Sequence, residues 1–468
     1  MRSGGMIIQR HAIFFAFAPH TKRGGDFLMH SIWTEQVTLP QFEPLRGDAR
    51  ADVLVIGGGM AGLLCARLLT DAGVDCALAE ADTLCGGVTQ NTTAKITAQH
   101  GLIYDKLIRE FGEEQAKRYL NANLAALERY RQMCADIDCD FETRDAYVYA
   151  RGERKKIDDE LRALDALGFH AAFAQELPLP FPVAGAVRFA EQAQFHPLKF
   201  AAAIAPGLRV YEHTPVRTVA GGTAEMEHGR ITAERIITAT HFPIWNRHGA
   251  YFLKLYQHRS YVIALENAPD VHGMYVDEAE KGMSFRNYKD FLLLGGGDHR
   301  TGKRGGGWKE LQDFAGKHYP DAKLHCQWAT QDCMSLDGAP YIGPYSKRTP
   351  QLFVAAGFNK WGMTGAMVSA MILSDLVTGR ENEFAPAFVP SRTIWRPQLA
   401  VNAAETLVNF LTPTTRRCPH LGCALKWNSQ EHSWDCPCHG SRFAVDGALL
   451  ENPATGDWHG APGKEQDA

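Results

Sequence analysis

The chain has 468 residues, a hydrophobic content of 45% and a formal net charge of −4. This length allows two or three domains, and the composition is ordinary for a globular protein. Because no strong basic block is present, we expect no nucleic-acid partner.

The first 49 residues are interpreted as an N-terminal extension. Met29 and the four residues after it look like a natural start, so residues 1–28 are expected to be disordered or to precede the true start. Residues 12–18 are apolar but too short for a convincing signal peptide. Apolar runs elsewhere do not approach the roughly 18 residues of a membrane helix, so we predict a cytoplasmic protein without an integral membrane segment.

A glycine motif follows the first predicted strand, residues 52–56. Gly57, Gly59 and Gly62 form G-x-G-x-x-G between this strand and a predicted helix, which is the context that binds a dinucleotide pyrophosphate. A second predicted strand ends at Glu80, eighteen residues after Gly62, which suits a carboxylate on a ribose hydroxyl. Either signal alone is weak, and Glu80 alone could be a solvated strand end. Together they predict dinucleotide binding.

A second glycine-rich turn lies late in the chain, where residues 352–357 read as a strand. Gly362, Met363 and Thr364 then open an apolar helix. The positive end of that helix could stabilise negative charge on a reduced flavin ring. The alternative is an ordinary turn before a core helix.

The combination of early and late motifs resembles the D-amino-acid-oxidase-like FAD oxidoreductases, the glycine oxidase group, over about residues 50–385. The resemblance implies FAD as cofactor, with Val216 against the adenine and residues 239–240 as a further contact. It also implies an α/β Rossmann-like FAD-binding domain with an α+β substrate domain. The FAD-binding pieces would span about residues 50–100, 186–245 and 345–385, and the substrate domain about residues 101–185 and 246–344.

The stretch from residue 328 to 343 looks like a glycine oxidase segment in which an arginine grips the substrate carboxylate, but here that position is Asp332. An ionised carboxylate cannot hold another one, so we predict a small amine as substrate. The alternative is a surface or salt-bridged Asp332. Adjacent Cys333 could attach flavin covalently, although an ordinary buried cysteine is far more common. Further candidates for proton transfer, although such residues are more often structural, are Lys95, His100, His299 and Lys360.

Beyond a predicted linker helix at residues 386–412, residues 413–468 carry C-x-H, fifteen residues and C-x-x-H. The ligand candidates are Cys418, His420, Cys436 and His439. Two thiolates and two imidazoles suit a Rieske 2Fe–2S cluster, in which two histidines replace two cysteines on one iron. A structural zinc site is the alternative, but zinc ribbons usually open with C-x-x-C.

These boxes resemble those of the Rieske proteins of cytochrome bc complexes, which have a small β-rich fold. The resemblance assigns Cys418 and Cys436 to one iron, His420 and His439 to the other. It also implies a disulfide between Cys423 and Cys438, although disulfides are rare in the cytosol.

The two halves together predict an FAD-dependent oxidoreductase that takes a hydride from a small substrate, at a C–N bond. Electrons would then pass through the cluster to an unknown acceptor. The alternatives are an oxygen-using oxidase with a structural cluster and a non-enzymatic redox sensor.

Overall fold

A computed structural model describes residues 29–245 and 248–460. The prediction made for residues 1–28 lies outside the described residues. The helices are α1 (Met60–Asp71), α2 (Tyr104–Phe111), α3 (Glu113–Cys134), α4 (Lys155–Ala166), α5 (Pro197–Ile204), α6 (Tyr251–Lys254), α7 (Gly307–His318), α8 (Gly362–Val377) and α9 (Pro397–Leu411). No helix of the described residues is long and apolar enough to cross a bilayer.

The strands form three sheets. In chain order they are β1 (Ala49–Ile56), β2 (Cys76–Ala79), β3 (Lys95–Ile96), β4 (Glu142–Ala150), β5 (Ala172–Ala174), β6 (Gly185–Gln194), β7 (Arg209–Tyr211), β8 (Thr218–Ala220), β9 (Thr223–Met226), β10 (Gly229–Thr238), β11 (Leu255–Glu266), β12 (Met274–Asp277), β13 (Ser284–Tyr288), β14 (Phe291–Arg300), β15 (Lys323–Ser335), β16 (Tyr341–Pro344), β17 (Leu352–Ala356), β18 (Lys426–Asn428), β19 (Ser433–Asp435), β20 (Arg442–Phe443) and β21 (Leu449–Glu451).

The first sheet has the order β16-β17-β10-β1-β2-β7, with β8 and β9 attached beside β10. Strand β1 pairs in parallel with both β2 and β10, and its last four residues are buried. Such apolar runs are expected where helices cover a parallel sheet. Helices α1 and α8 pack against each other, so the early and late glycine motifs belong to one body.

The second sheet has the order β15-β11-β14-β13-β12-β4-β6-β3, with β5 on β6. Its membership differs from the predicted domain limits at three strands. Strands β3 and β6, predicted with the FAD-binding pieces, pair with each other in the second sheet, whereas β16 pairs with β17 in the first. Strand β6 belongs to the second sheet because it pairs antiparallel with β4 along almost its whole length.

The third sheet is a four-stranded antiparallel meander, β18-β19-β20-β21. Its small core contains Cys418, Cys436, Phe443 and Trp458, all buried. A domain of this size has little apolar surface to bury and relies on covalent or metal cross-links. The long helix before it, α9, lies within the predicted linker.

Candidate active site and cluster site

The glycine motif after β1 forms a tight cradle. Gly57 has a φ of +105°, and a Cβ at this position would lie 2.6 Å from the carbonyl oxygen of Ala239. A Cβ on Gly62 would lie 1.9 Å from the carbonyl oxygen of Gly57, so α1 and β1 pack too closely for any side chain. Gly59 caps α1 without a side-chain hydrogen bond. The N–H of Met60 donates to the Thr89 hydroxyl at 2.9 Å, and the first turn of α1 lines the cavity, where its positive end favours an anionic ligand.

Glu80 is fixed beside this cradle by two backbone amides. The N–H of Gly58 donates to Oε2 at 2.5 Å, and the N–H of Asp82 donates to Oε1 at 2.9 Å. Burial raises the pKa of the Glu80 carboxyl, while both hydrogen bonds counteract that effect. The carboxylate is thus held in one orientation at the end of β2.

A cavity of about 1380 Å³ extends from this cradle to the second and third sheets. The predicted flavin residues in its lining are Gly57, Gly59, Glu80, Val216, Gly362 and Met363. Thr364 is turned away from the cavity, and its hydroxyl accepts from the N–H of Thr97 at 3.1 Å and donates to the Thr97 carbonyl at 2.9 Å. It joins the late helix to the early half of the chain.

Asp332 lies in the cavity wall on β15. The Ser260 hydroxyl donates to its Oδ2 at 2.8 Å. Burial raises the pKa of this carboxyl, and the nearby Lys360 ammonium opposes the rise. Lys360 itself forms a salt bridge with Asp298, which also lines the cavity. Glu280 also lines this part of the cavity. Its three carboxylates, with Lys360 as the one ammonium, give an excess of negative charge.

Two further basic groups reach the cavity. Lys95 donates to the Thr93 hydroxyl at 3.4 Å, and burial together with the Arg286 charge lowers its pKa to about 7. His258 lies opposite Asp332 in the β11–β15 pairing, with its Nε2 3.8 Å from a Glu280 oxygen. Burial lowers the pKa of His258 to about 3, so the imidazole is neutral. The sequence analysis missed His258, because nothing in the sequence around it marks a site.

Three candidates do not line the cavity. His299 is bonded through its two ring nitrogens to the Tyr261 hydroxyl at 3.0 Å and the Arg300 carbonyl at 2.9 Å. His100 stacks on Trp361 with 4.9 Å between ring centroids and is buried. Cys333 faces the apolar core on the opposite side of β15 from Asp332. Its position gives no support to covalent flavin attachment.

The two C-terminal boxes fold as matching turns. The N–H of Gly422 donates to the Cys418 carbonyl, and the N–H of Gly440 donates to the Cys436 carbonyl, each at 2.9 Å. Both glycines have positive φ, +79° and +88°, which glycine adopts most readily. Each turn therefore presents its ligand side chains from a closed loop of five residues.

Cys423 and Cys438 join the two loops through a disulfide, with 6.7 Å between the Cα atoms. This leaves Cys418 and Cys436 as the free thiols of the site. The Cys436 thiol and the Ser441 hydroxyl hydrogen-bond the sulfur of Cys418 and hold its pKa below the ordinary value. The same contact raises the pKa of the Cys436 thiol, so the two sulfurs are hydrogen-bonded to each other within the site.

The two histidine rings lie beside these sulfurs, 4.9 Å apart between centroids. His439 is only 1% exposed, and its Nε2 lies 3.1 Å from the carbonyl oxygen of Phe252. A carbonyl only accepts, so the proton of a neutral His439 ring is on Nε2. Its Nδ1 is buried without a hydrogen bond, and therefore keeps a free lone pair. This tautomer is the one that suits a metal ligand, and the Cys₂His₂ donor set fits a Rieske cluster.

A single strand, β11, separates the cavity from the cluster loops. Tyr256, His258 and Ser260 line the cavity. Gln257 and Arg259 alternate with them and reach the third domain. Alternation of side chains along a strand places one set on each face. The strand therefore lies between this part of the cavity and the cluster loops, while Glu431, Arg442 and Glu451 of the third domain line the cavity directly.

Gln257 makes a continuous hydrogen-bonded connection across this strand. Its Nε2 donates to the carbonyl of His439 at 3.2 Å, and its Oε1 accepts from Nε2 of His241 at 2.9 Å. His241 lines the cavity. The backbone also fits closely here, because a Cβ on Gly440 would lie 2.6 Å from the Gln257 side chain.

A buried ion network fixes the third domain against the same strand. Arg259 donates from Nε to Glu431 at 3.0 Å and from Nη1 to Glu451 at 2.9 Å. Arg442 pairs with both glutamates and with Asp435. The two guanidinium charges lower the pKa of Glu431 to about 2. The docked arrangement is thus specific, since removing one partner would leave a charge buried and unpaired.

Comparison with known proteins agrees with this geometry. Residues 52–376 match the model of the FAD dependent oxidoreductase (DAO) family, and residues 380–461 match the Rieske [2Fe-2S] domain. The chain belongs to the DAO family of FAD-dependent oxidoreductases. It is 34% identical to YhfW of Bacillus subtilis (strain 168), named as a Rieske 2Fe-2S iron-sulfur protein, over 90% of this chain and 95% of that protein.

Solved structures of DAO-like folds superpose on the same part of the chain. Glycine oxidase from Geobacillus kaustophilus has a TM-score of 0.60 at 23% identity, covering 74% of this chain and 100% of that one. L-Proline dehydrogenase from P. horikoshii has a TM-score of 0.63 at 14% identity, covering 74% and 98%. The predicted resemblances and fold class are confirmed, and so are FAD and a 2Fe–2S cluster as the cofactors.

Proposed function

We propose that this DAO-family oxidoreductase oxidises a small cationic amine and passes the electrons to its own Rieske cluster. When bound, FAD accepts a hydride and the cluster carries single electrons, which is the chemistry that this proposal needs. The observation that carries the proposal is β11, which lines the cavity with one face and contacts the cluster loops with the other.

The charge of the cavity wall supports a cationic substrate. Asp332, Asp298 and Glu280 lie in the lining with Lys360 as the nearby cation. Lys360 is engaged by Asp298, so the Asp332 carboxylate has room for a second cation, and a bound ammonium would counteract the burial that raises its pKa. A substrate carboxylate would meet repulsion in the same place.

Lys95 supplies the proton chemistry in this proposal. An amine loses a proton before its C–H bond gives up a hydride, and a neutral base near the site can accept that proton. With a pKa of about 7, the Lys95 amine is partly neutral near neutral pH. His258, whose pKa burial lowers to about 3, is too weak a base for this step and stays neutral in the cavity wall.

Gln257 and His241 support electron transfer toward the cluster. They join the cavity lining to the backbone of the cluster ligand His439 through two hydrogen bonds. Electron transfer is favoured along a route of covalent bonds and hydrogen bonds, because the electron then crosses no stretch of empty space between atoms.

Anaerobic screening of small amines against matched amino acids tests the substrate class. We expect amines to bleach the flavin absorbance and the matched amino acids to leave it unchanged. Bleaching by amino acids alone would refute the cationic substrate. Rapid formation of hydrogen peroxide in air, with the cluster left oxidised, would favour an oxygen-using oxidase instead.

A further inference from the structure

Helix α9 is oriented with its polar side inward. Asn402 and Asn409 are buried, at 4% and 3% exposure, whereas Val408 and Leu411 are 62% and 66% exposed. A helix on a globular protein normally buries its apolar stripe and exposes its polar one. The arrangement in α9 is the reverse.

Specific contacts hold the polar side in place. Arg300 donates to the Asn402 amide oxygen at 2.9 Å, and Lys303 forms a salt bridge with Glu405 at 2.7 Å. The carbonyl of Asn409 accepts from the N–H of Ala424 in the cluster domain at 3.0 Å. Rolling the helix to bury its apolar side would break all three contacts, so the apolar side stays outward.

We call the outward side the outer face of α9. Two exposed residues outside the helix flank it: Trp395, two residues before α9 and 82% exposed, and Leu421 in the first cluster loop. The Phe410 ring lies 3.7 Å from the position of a Cβ on Gly422, so the face reaches the loop that carries His420. Its large exposed apolar residues are Trp395, Val401, Leu407, Val408, Phe410, Leu411 and Leu421. A continuous apolar surface of this kind marks a docking site.

The charges around the outer face indicate what docks there. Residues 395–421 contain a single acidic residue, Glu405, and Lys303 neutralises it. Arg417 donates to the carbonyls of Phe410 and Thr412, which places its charge at the end of the face next to the cluster. Arg416 lies nearby over the Trp434 ring. An uncharged apolar face with cations at one end favours a partner that is apolar beneath a negatively charged surface, which describes a bilayer with anionic lipids.

We propose that the outer face of α9 docks in the plane of an anionic lipid bilayer and places the His420 loop at the membrane surface. Docking is independent of the substrate. Only its consequence, delivery of electrons to an acceptor dissolved in the membrane, depends on the proposed electron transfer to the cluster. The two ideas can therefore fail separately.

Co-sedimentation of the holoprotein with vesicles tests this proposal. We expect binding to vesicles of phosphatidylcholine mixed with phosphatidylglycerol, and weaker binding to phosphatidylcholine alone. The double variant Leu407→Gln/Val408→Gln should lower the partition coefficient roughly tenfold or more, because it removes two large apolar side chains from the face. The matched control Trp427→Gln/Val445→Gln alters exposed apolar residues of the cluster domain outside the face and should bind as the wild type does.

The cluster absorbance of each variant shows whether that variant is folded. If the double variant is not folded, Leu411→Gln provides a second test of the face. Absence of wild-type binding to either type of vesicle would overturn the proposal. The proposal would also be overturned if the control variant lost as much vesicle binding as the α9 variant, or if folded α9 variants bound vesicles as well as the wild type does. If sedimentation velocity shows a dimer that the α9 substitutions dissociate, a second copy covers the face and the lipid proposal is wrong.

Discussion

Replacing Asp332 by asparagine removes one negative charge from the cavity wall while keeping the shape of the side chain. The Ser260 hydroxyl can still donate to the amide oxygen that takes the place of the carboxylate oxygen. Binding of a cationic amine should weaken, because the substrate ammonium loses one partner. Turnover of the bound amine should change much less than its binding.

The size of this effect follows from the neighbours of Asp332. Truncating one partner of a buried charge pair costs about 2–5 kcal/mol. Asp298 and Glu280 remain in the lining, so the lower end applies. About 2 kcal/mol corresponds to roughly a thirtyfold fall in kcat/KM, since 1.4 kcal/mol is about tenfold. Asp332→Arg should reverse the preference and begin to admit small amino acids.

Steady-state kinetics on matched amine and amino-acid pairs measure this prediction. Ser260→Ala is the control, because it removes the hydrogen bond to Asp332 without removing a charge. The pH profile adds a second readout: burial raises the pKa of Asp332, so amine affinity should fall with decreasing pH above the range of an ordinary carboxyl. This acid limb should disappear in Asp332→Asn. A wild-type preference for amino acids, or an unchanged preference in both variants, would refute the reasoning.

Other predictions concern the cluster and its docking. His420→Cys should lower the cluster potential from the Rieske range of roughly −150 to +300 mV, and a redox titration showing an intact cluster at an unchanged potential would contradict ligation. Cys423→Ala should destabilise the cluster domain by about 3 kcal/mol in urea, because its bond to Cys438 closes a loop of 15 residues; an unchanged midpoint would count against it. Arg259→Met should cost about 3–5 kcal/mol in thermal unfolding. The pKa of Glu431 falls from 4.5 to about 2, so its stabilisation is present above pH 4.5 and is lost as the pH falls to about 2. Arg259→Met should lose less stability than the wild type as the pH falls, and an identical pH dependence of the two proteins would speak against the ion network.

The parts of the site that the sequence could predict are those that local motifs define. The glycines after β1 and the ligands of the cluster boxes are recognisable because backbone geometry and metal chemistry constrain residues that are close in sequence. The disulfide between Cys423 and Cys438 is also confirmed, since it joins the same two loops.

Long-range pairing could not be predicted in this way. The predicted domain limits group β6 with the FAD-binding pieces, whereas its pairing with β3 and β4 depends on tertiary packing. The ion pair of Arg259 with Glu431 joins residues 172 positions apart. His258 becomes a cavity residue only through the pairing of β11 with β15.

Helix α9 shows a different limit. Most helices of globular proteins pack their apolar stripe inward. In the structure the contacts of Asn402 and Asn409 determine the orientation instead. Hydrophobic pattern alone therefore gives the helix but not the side that faces the protein.

Anaerobic mixing of the holoprotein with a small amine tests the central claim most directly. Optical absorbance follows the flavin, and electron paramagnetic resonance follows the cluster. The account predicts that the amine bleaches the flavin and that the signal of the reduced Rieske cluster then grows. Gln257→Leu should slow the growth of the cluster signal and leave the bleaching unchanged, because it removes both hydrogen bonds to His439 and His241. A bleached flavin beside a cluster that stays oxidised in the wild type would contradict the account.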